Sequence, residues 1–225
     1  MPLLIIAALV WIALHLGLAG TSLRGTVVRR IGDAAFQVVF SLLSIAALIF
    51  LVLAWVAAPT TPLWVAPDWL RWVLVLVMLP AFVLFVASVS GRNPTMIGPQ
   101  EEAKQAPRGM IRVTRHPMLW SFAIWAAVHI LGNGDTAALV FFGAFLITAL
   151  AGMPSIDAKL ARRDPNAWQA LSAVTSIVPF AAIVQGRNRF VAAEINWLTP
   201  AIGVVAWVVL LVVHPWLFGV PPVSF

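Results

Sequence analysis

The sequence predicts an all-α polytopic membrane bundle of about six transmembrane helices, and three observations carry that prediction. Of the 225 residues, 62% are hydrophobic and only 10% charged, with a mean hydropathy of +0.98, so a soluble domain of this length would lack the polar residues to cover its own surface. Several apolar stretches approach the roughly 20 residues needed to cross a bilayer core. The Lys and Arg residues gather between alternate stretches. So little polar sequence remains for loops that residues 1–225 are expected to form one membrane domain.

The predicted spans are Pro2–Ala19, Ala34–Ala58, Trp69–Ser90, Pro117–Leu131, Thr136–Met153 and Trp197–Phe218. The apolar run Leu3–Leu18, followed by Ala19-Gly20, resembles a signal peptide in part. No positive region precedes it, and Arg24, Arg29 and Arg30 come after it, so it is expected to be a retained first span. Pro80 lies inside the third span and should kink it unless neighbours satisfy the freed carbonyl. The fourth span is short and must borrow length from its flanks or cross where the bundle is thin.

Charge sets the expected orientation. Gly20–Asp33 carries Arg24, Arg29 and Arg30; Gly91–His116 carries Arg92, Lys104, Arg108, Arg112 and Arg115; Pro154–Asn196 carries Lys159, Arg162, Arg163, Arg187 and Arg189. Of the 14 Lys and Arg residues, only Arg71 falls outside these alternate loops. Positive loops stay cytoplasmic, which puts both termini on the outer side of the membrane. The same asymmetry accounts for the net charge of +6 without a nucleic-acid partner; the expected partner is the lipid bilayer. The absence of cysteine excludes disulfides, thiolate metal sites and Cys nucleophiles. Trp55, Trp64, Trp69, Trp72 and Trp216 lie at outer span ends, where interfacial anchoring explains them. Leu171–Val184 is apolar but short and contains Thr175, Ser176 and Pro179. Were it to cross, Arg187 and Arg189 would land outside, so a cytoplasmic interfacial or re-entrant segment is expected.

Ionisable groups within spans are the first functional suspects. Here they are His15, His129 and His214, with His116 at the mouth of the fourth span, and no Asp, Glu, Lys or Arg stands mid-span. Proton pumps and ion-coupled carriers, which need buried carboxylates, lose weight. His15 and His116 belong near the cytoplasmic face, His129 and His214 near the outer one. Along one helix His116 and His129 would be roughly 20 Å and roughly 140° apart, too far to share a metal, whereas His15 with His116, or His129 with His214, can. Two histidines from different helices suit a b-type haem in an apolar bundle, and Arg24, Arg112 and Arg115 lie on the correct side to pair with its propionates. The alternative is that each histidine is only hydrogen-bonded within the bundle. Pro117 suits a first helical turn, placing His116 just ahead of the helix beside free amides; a helix cap with a snorkelling arginine explains the same residues. Leu131-Gly132-Asn133-Gly134-Asp135 reads as a tight turn with Asp135 capping the fifth span. Serine-hydrolase spacings, zinc motifs and phosphate-binding glycine loops are absent from the sequence.

A set of local motifs runs through most of the chain: His15 with Leu23-Arg24, Gly32, Phe40-Ser41-Leu42, Pro62-Leu63-Trp64, Pro67 and Gly91-Arg92-Asn93-Pro94. The most specific are Arg115-His116-Pro117-Met118-Leu119 and the run Trp125–Asp135. On these residues the chain resembles the NnrU family of bacterial membrane proteins, related to plant 15-cis-zeta-carotene isomerase. The resemblance implies a haem b with His15 and His116 as ligands, and a redox-state-dependent cis–trans isomerisation of a hydrophobic substrate reached from the bilayer. It also implies an alternative, since the family is named for gene neighbourhoods of nitrite and nitric oxide reduction: a non-enzymatic membrane factor with a respiratory reductase partner. A second resemblance, to isoprenylcysteine and phospholipid methyltransferases, rests on Arg115-His116-Pro117 and Pro179-Phe180. It implies S-adenosylmethionine chemistry, with Asp157-Ala158-Lys159 standing where those enzymes carry paired glutamates.

Overall fold

A computed structural model describes residues 1–91 and 106–223. Arg92, Asn93 and Pro94 of the family resemblance, and Lys104 of the basic loop, lie outside the described residues. Within the described residues the protein is helical, with no β-strand beyond one isolated bridge between Pro62 and Asp135. Its helices are α1 (Pro2–Ile12), α2 (Leu23–Ile31), α3 (Asp33–Val56), α4 (Asp68–Ser90), α5 (Met110–Val113), α6 (Pro117–Asn133), α7 (Thr136–Arg163), α8 (Pro165–Val174), α9 (Ala181–Val184) and α10 (Leu198–Phe218). This is the all-α polytopic membrane bundle expected.

Among the described residues, helices α3, α4, α7 and α10 are long and apolar enough to cross a membrane, which makes four spans, or five where the bent stretch from Pro2 to Ile31 counts as one broken span. Helix α6, at 17 residues, spans only about 25 Å at 1.5 Å per residue, short of the roughly 30 Å hydrocarbon core. Leu42, Ile45 and Leu53 on α3, and Val205 and Val209 on α10, are exposed, as side chains that face lipid must be.

Two compact units make up the chain: residues 1–67 with 126–155, and 68–125 with 156–225. Helices α6 and α7 each contribute to both.

In the first unit, α1 passes into a π-helical stretch, Ala13–Leu18, and α2 leaves it at a bend of 75°. What composition marks as a basic loop is therefore mostly helix. Helix α3 packs along α1. At the predicted outer end, the chain before α4 is laced to the α6–α7 turn. Thr136 N–H donates to Thr61 O at 3.0 Å, and Leu63 and Trp64 N–H both donate to Gly134 O, at 2.7 and 3.0 Å. Trp64 Nε1 donates to Leu131 O at 3.0 Å, so this tryptophan pins the turn as well as marking the interface. Asp135 caps α7 through Ala138 N–H at 2.8 Å, and Thr60 Oγ1 donates to the same carboxylate oxygen at 2.5 Å. Trp69 and Trp216 are largely exposed, which fits interfacial anchoring.

In the second unit, α4 and α10 pack together. Gly203 permits it: a Cβ there would lie 2.9 Å from Val83 Cα and 3.1 Å from Val83 N, the close backbone approach that small residues allow between membrane helices. One turn on, Trp207 Nε1 donates to Val75 O at 2.9 Å. That carbonyl neighbours Leu76 O, which loses its donor to Pro80, and α4 continues through the proline to Ser90.

One helix runs past its predicted span, and the expected interfacial or re-entrant segment is built of short pieces. The fifth span does not stop at Met153, because α7 continues through Pro154 to Arg163, carrying Asp157 with it. Leu171–Val184 is not one segment. Helix α8 ends at Val174, Thr175 is extended, Phe180 takes a left-handed φ of 64°, and α9 is a single turn. Neither helix is long enough to cross.

Candidate functional site

The strip Thr175–Phe180 is what places His116. Thr114 Oγ1 and Trp120 Nε1 both donate to Ile177 O, at 2.7 and 2.8 Å. Arg115 N–H donates to Ser176 O at 3.1 Å, and Phe180 N–H to Val113 O at 2.8 Å. This lacing holds Thr114 extended and turns the next two side chains inward. Pro117 then opens α6 as its first residue.

Inside lies a buried ionic cluster. Asp157 Oδ2 accepts from Arg115 Nη2 at 2.6 Å and from Nε at 3.0 Å, and Oδ1 faces His116 Nε2 at 2.8 Å. The guanidinium also lies over the Trp168 ring, with Cζ 5.0 Å from its centroid. All three residues are buried, and the His116 side chain is 0% exposed. A carboxylate in such a place is tolerable because a fork-shaped cation answers it bidentately. The other ring nitrogen, His116 Nδ1, is buried with no hydrogen-bond partner. Among described residues only Trp11 Nε1 and Ser44 Oγ share that condition.

His15 stands in the first unit, within the π-helical turn, a feature that recurs at functional positions. Its Nδ1 pairs with Trp11 O at 2.9 Å, and Nε2 has no hydrogen bond among the described residues. Aromatic rings surround it: Trp11 at 4.0 Å between centroids, itself 4.8 Å from Phe145, and Phe40 edge-on at 5.5 Å. The remaining histidines have local partners. His129 stacks on Phe142 at 4.8 Å, and His214 Nδ1 pairs with Val220 O at 2.7 Å just beyond the end of α10.

All three arginines expected to meet propionates are paired within the protein. Arg24 bonds Asp33 at 2.7 Å on the surface, with Cζ over the Phe36 ring. Arg115 is taken by Asp157. Arg112 gives Nε and Nη2 to the Glu194 carboxylate at 2.7 and 2.8 Å, and Nη1 to Asn188 Oδ1 at 2.6 Å. Gly109 N–H adds a bond to Glu194 at 3.0 Å. Hydrogen bonds from Arg112, then from the Gly109 amide, hold the Glu194 carboxyl down at about 2, and the pair raises Arg112 in turn. Because Glu194 is lowered on folding, its stabilisation is full above the ordinary value of 4.5 and disappears as pH falls through about 2. Thermal melts in detergent between pH 5 and pH 2 should show this loss in the wild type and a flatter profile in Glu194→Gln. Equal slopes would refute it.

Sequence reasoning passed over Asp157 because it seeks ionisable groups inside predicted spans, and Asp157 falls beyond Met153. In space it closes on the Arg115-His116-Pro117 motif from 42 residues away in the chain.

Long apolar helices, together with a buried Arg–Asp–His cluster within the second unit, define a polytopic helical membrane protein. The chain belongs to the NnrU protein family, which matches residues 3–222. It is also similar to the chloroplastic 15-cis-zeta-carotene isomerases of Zea mays, 35% identical over 81 residues, and of Arabidopsis thaliana, 34% identical over 80. Each alignment covers 36% of this chain and 22% of the relative, so the chain spans under a quarter of the length of these curated proteins. No solved structure matches it.

Proposed function

We propose that this protein is a haem-b-dependent cis–trans isomerase of a hydrophobic polyene, with His15 and His116 as the residues that would hold the haem. The carrying observation is that each imidazole has one ring nitrogen engaged and the other without a partner, the arrangement a metal-ligating histidine needs. At His15 the Nδ1 pairs with a backbone carbonyl and Nε2, remote from Cβ, is open. At His116 a carboxylate takes Nε2 and buried Nδ1 is left. In its chemistry each imidazole suits a haem ligand, and the aromatic surroundings of His15 suit a flat macrocycle. Groups of three or more His, Asp or Glu that would favour a bare metal ion instead are absent among the described residues. When bound, such a haem would supply a redox-active iron, the chemistry that a redox-state-dependent isomerisation calls for.

The protein's own part is orientation and exclusion of water. Trp11 O fixes the His15 ring, and Asp157 fixes that of His116. Arg24, on the surface and held by one exposed carboxylate, is the most readily available partner for a propionate; Arg112 and Arg115 would have to exchange buried or bidentate partners. Similarity to the named isomerases supports a 15-cis polyene such as 15-cis-zeta-carotene as substrate. Purified from haem-supplied cells, the wild type should show a Soret band that weakens in His15→Ala and in His116→Ala, and cells making 15-cis-zeta-carotene should lose it. Colourless protein overturns the reading. Haem without turnover moves it to a non-enzymatic haem protein of the membrane.

The proposal places the basic loops in the cytoplasm of a bacterial inner membrane with both termini periplasmic, supported by the charge asymmetry. The chain has no cysteine, so single cysteines added at either terminus give background-free labelling. An impermeant maleimide should reach both from outside, and protection of either refutes this orientation.

A further inference from the structure

We propose that Asp157, backed by Arg115, is a positioning residue that selects which nitrogen His116 offers to a ligand. The inference rests on the reading of His116 as a ligand residue, and its reasons lie wholly within the second unit. Oδ1 of Asp157 is 2.8 Å from His116 Nε2. A carboxylate there is an acceptor, so the bond is made only when Nε2 carries the ring proton. In the neutral imidazole that leaves the lone pair on Nδ1, the atom found buried with no partner. Free rotation or tautomer exchange would spread the lone pair over both positions. The carboxylate removes that choice.

Arg115 keeps the carboxylate in place. It binds Oδ2 twice, at 2.6 and 3.0 Å, and reaches Oδ1 from Nε at 3.1 Å, which holds the carboxylate plane with Oδ1 turned to the imidazole. Cation and anion cancel within the pair, so the charge presented to His116 is local and directional and the cluster as a whole is tolerated in an apolar interior. Trp168 covers the guanidinium face. Nδ1 of His116 therefore faces its ligand as a pre-set electron-pair donor. The acceptor it suits is a metal centre such as haem iron.

The test uses full-length protein in detergent with nitrogen-15-labelled histidine. The chain has four histidines, and the His116 signals are those missing from His116→Gln. Wild type should show a protonated Nε2 and an unprotonated Nδ1. Asp157→Ala should shift His116 to the other tautomer or to an averaged spectrum. Asp157→Asn, which can still offer an amide oxygen to Nε2–H, should restore the wild-type pattern in part. Haemin titration should show affinity falling about 10–100-fold in Asp157→Ala, the effect expected of a partner behind a ligand, and less in Asp157→Asn. An unchanged His116 tautomer in Asp157→Ala overturns the inference. Should that variant not fold, the same readout is taken on Arg115→Gln, and a wild-type tautomer with wild-type haemin affinity there overturns the backing role. Failure of the wild type to bind haemin defeats the haem reading alone, because the tautomer measurement needs no haem.

Discussion

Replacing Arg115 with alanine is expected to destabilise the protein by about 3–5 kcal/mol, the range for leaving one member of a buried ion pair uncompensated. Arg115 and Asp157 are 8% and 7% exposed, so water cannot take over the role of the guanidinium. His116 Nε2–H would remain on Oδ1, but Oδ2 would lose the bidentate partner that offsets its desolvation. Arg115→Lys should fall between the two, since an ammonium cannot supply the planar fork. The informative comparison is the double variant Arg115→Met with Asp157→Asn. Removing both charges should restore much of the loss, making the two substitutions strongly non-additive. Denaturation in mixed micelles, followed by circular dichroism, measures these proteins together with the single variants Arg115→Met and Asp157→Asn. If Arg115→Ala costs less than about 1 kcal/mol, the value typical of an exposed pair, the cluster is hydrated and the account of it fails.

Gly134→Ala should be nearly as damaging, by about 3 kcal/mol, from two separate causes. Its φ is +65°, where an L side chain costs roughly 1–2 kcal/mol. A Cβ would also overlap Trp64 O and come within 2.8 Å of Trp64 Cδ1, and forcing bulk into a packed place typically costs about 1–3 kcal/mol. The atom in the way is backbone, held by the bonds that Leu63 and Trp64 make to Gly134 O. The turn would have to break these to yield. Gly219, with φ 75°, ψ 0° and nothing within 4 Å of an added methyl, isolates the first cause, and Gly219→Ala should lose only about 1 kcal/mol. Equal losses at the two glycines would mean that the Trp64 contact carries no weight.

Much of the architecture was legible in the sequence because lipid imposes a one-dimensional rule: backbone polar groups must be paired within a helix long enough to cross. Runs such as Asp33–Val56 and Leu198–Phe218 obey it, so their positions follow from hydropathy alone. Pro117 as the first residue of α6, and Asp135 capping α7, were likewise readable, since both use bonds between near neighbours in the chain. Histidines 15 and 116 stood out for their rarity in apolar sequence.

What tertiary structure alone decided are the partners. Asp157 lies 41 residues from His116 and 42 from Arg115, and no periodicity links positions so far apart. Whether α7 stops at Pro154 or continues depends on packing that can tolerate the missing amide, and its continuing is what delivers Asp157 to the cluster. The π turn at His15, the lacing of Thr175–Phe180 to Val113–Trp120 and the Gly134–Trp64 contact have the same origin. By itself the sequence determined that the chain enters a membrane as a helical bundle, and which imidazoles are candidates for chemistry. The choice of ring nitrogen on His116 belongs to the fold, because it depends on a carboxylate brought from another helix to within 2.8 Å.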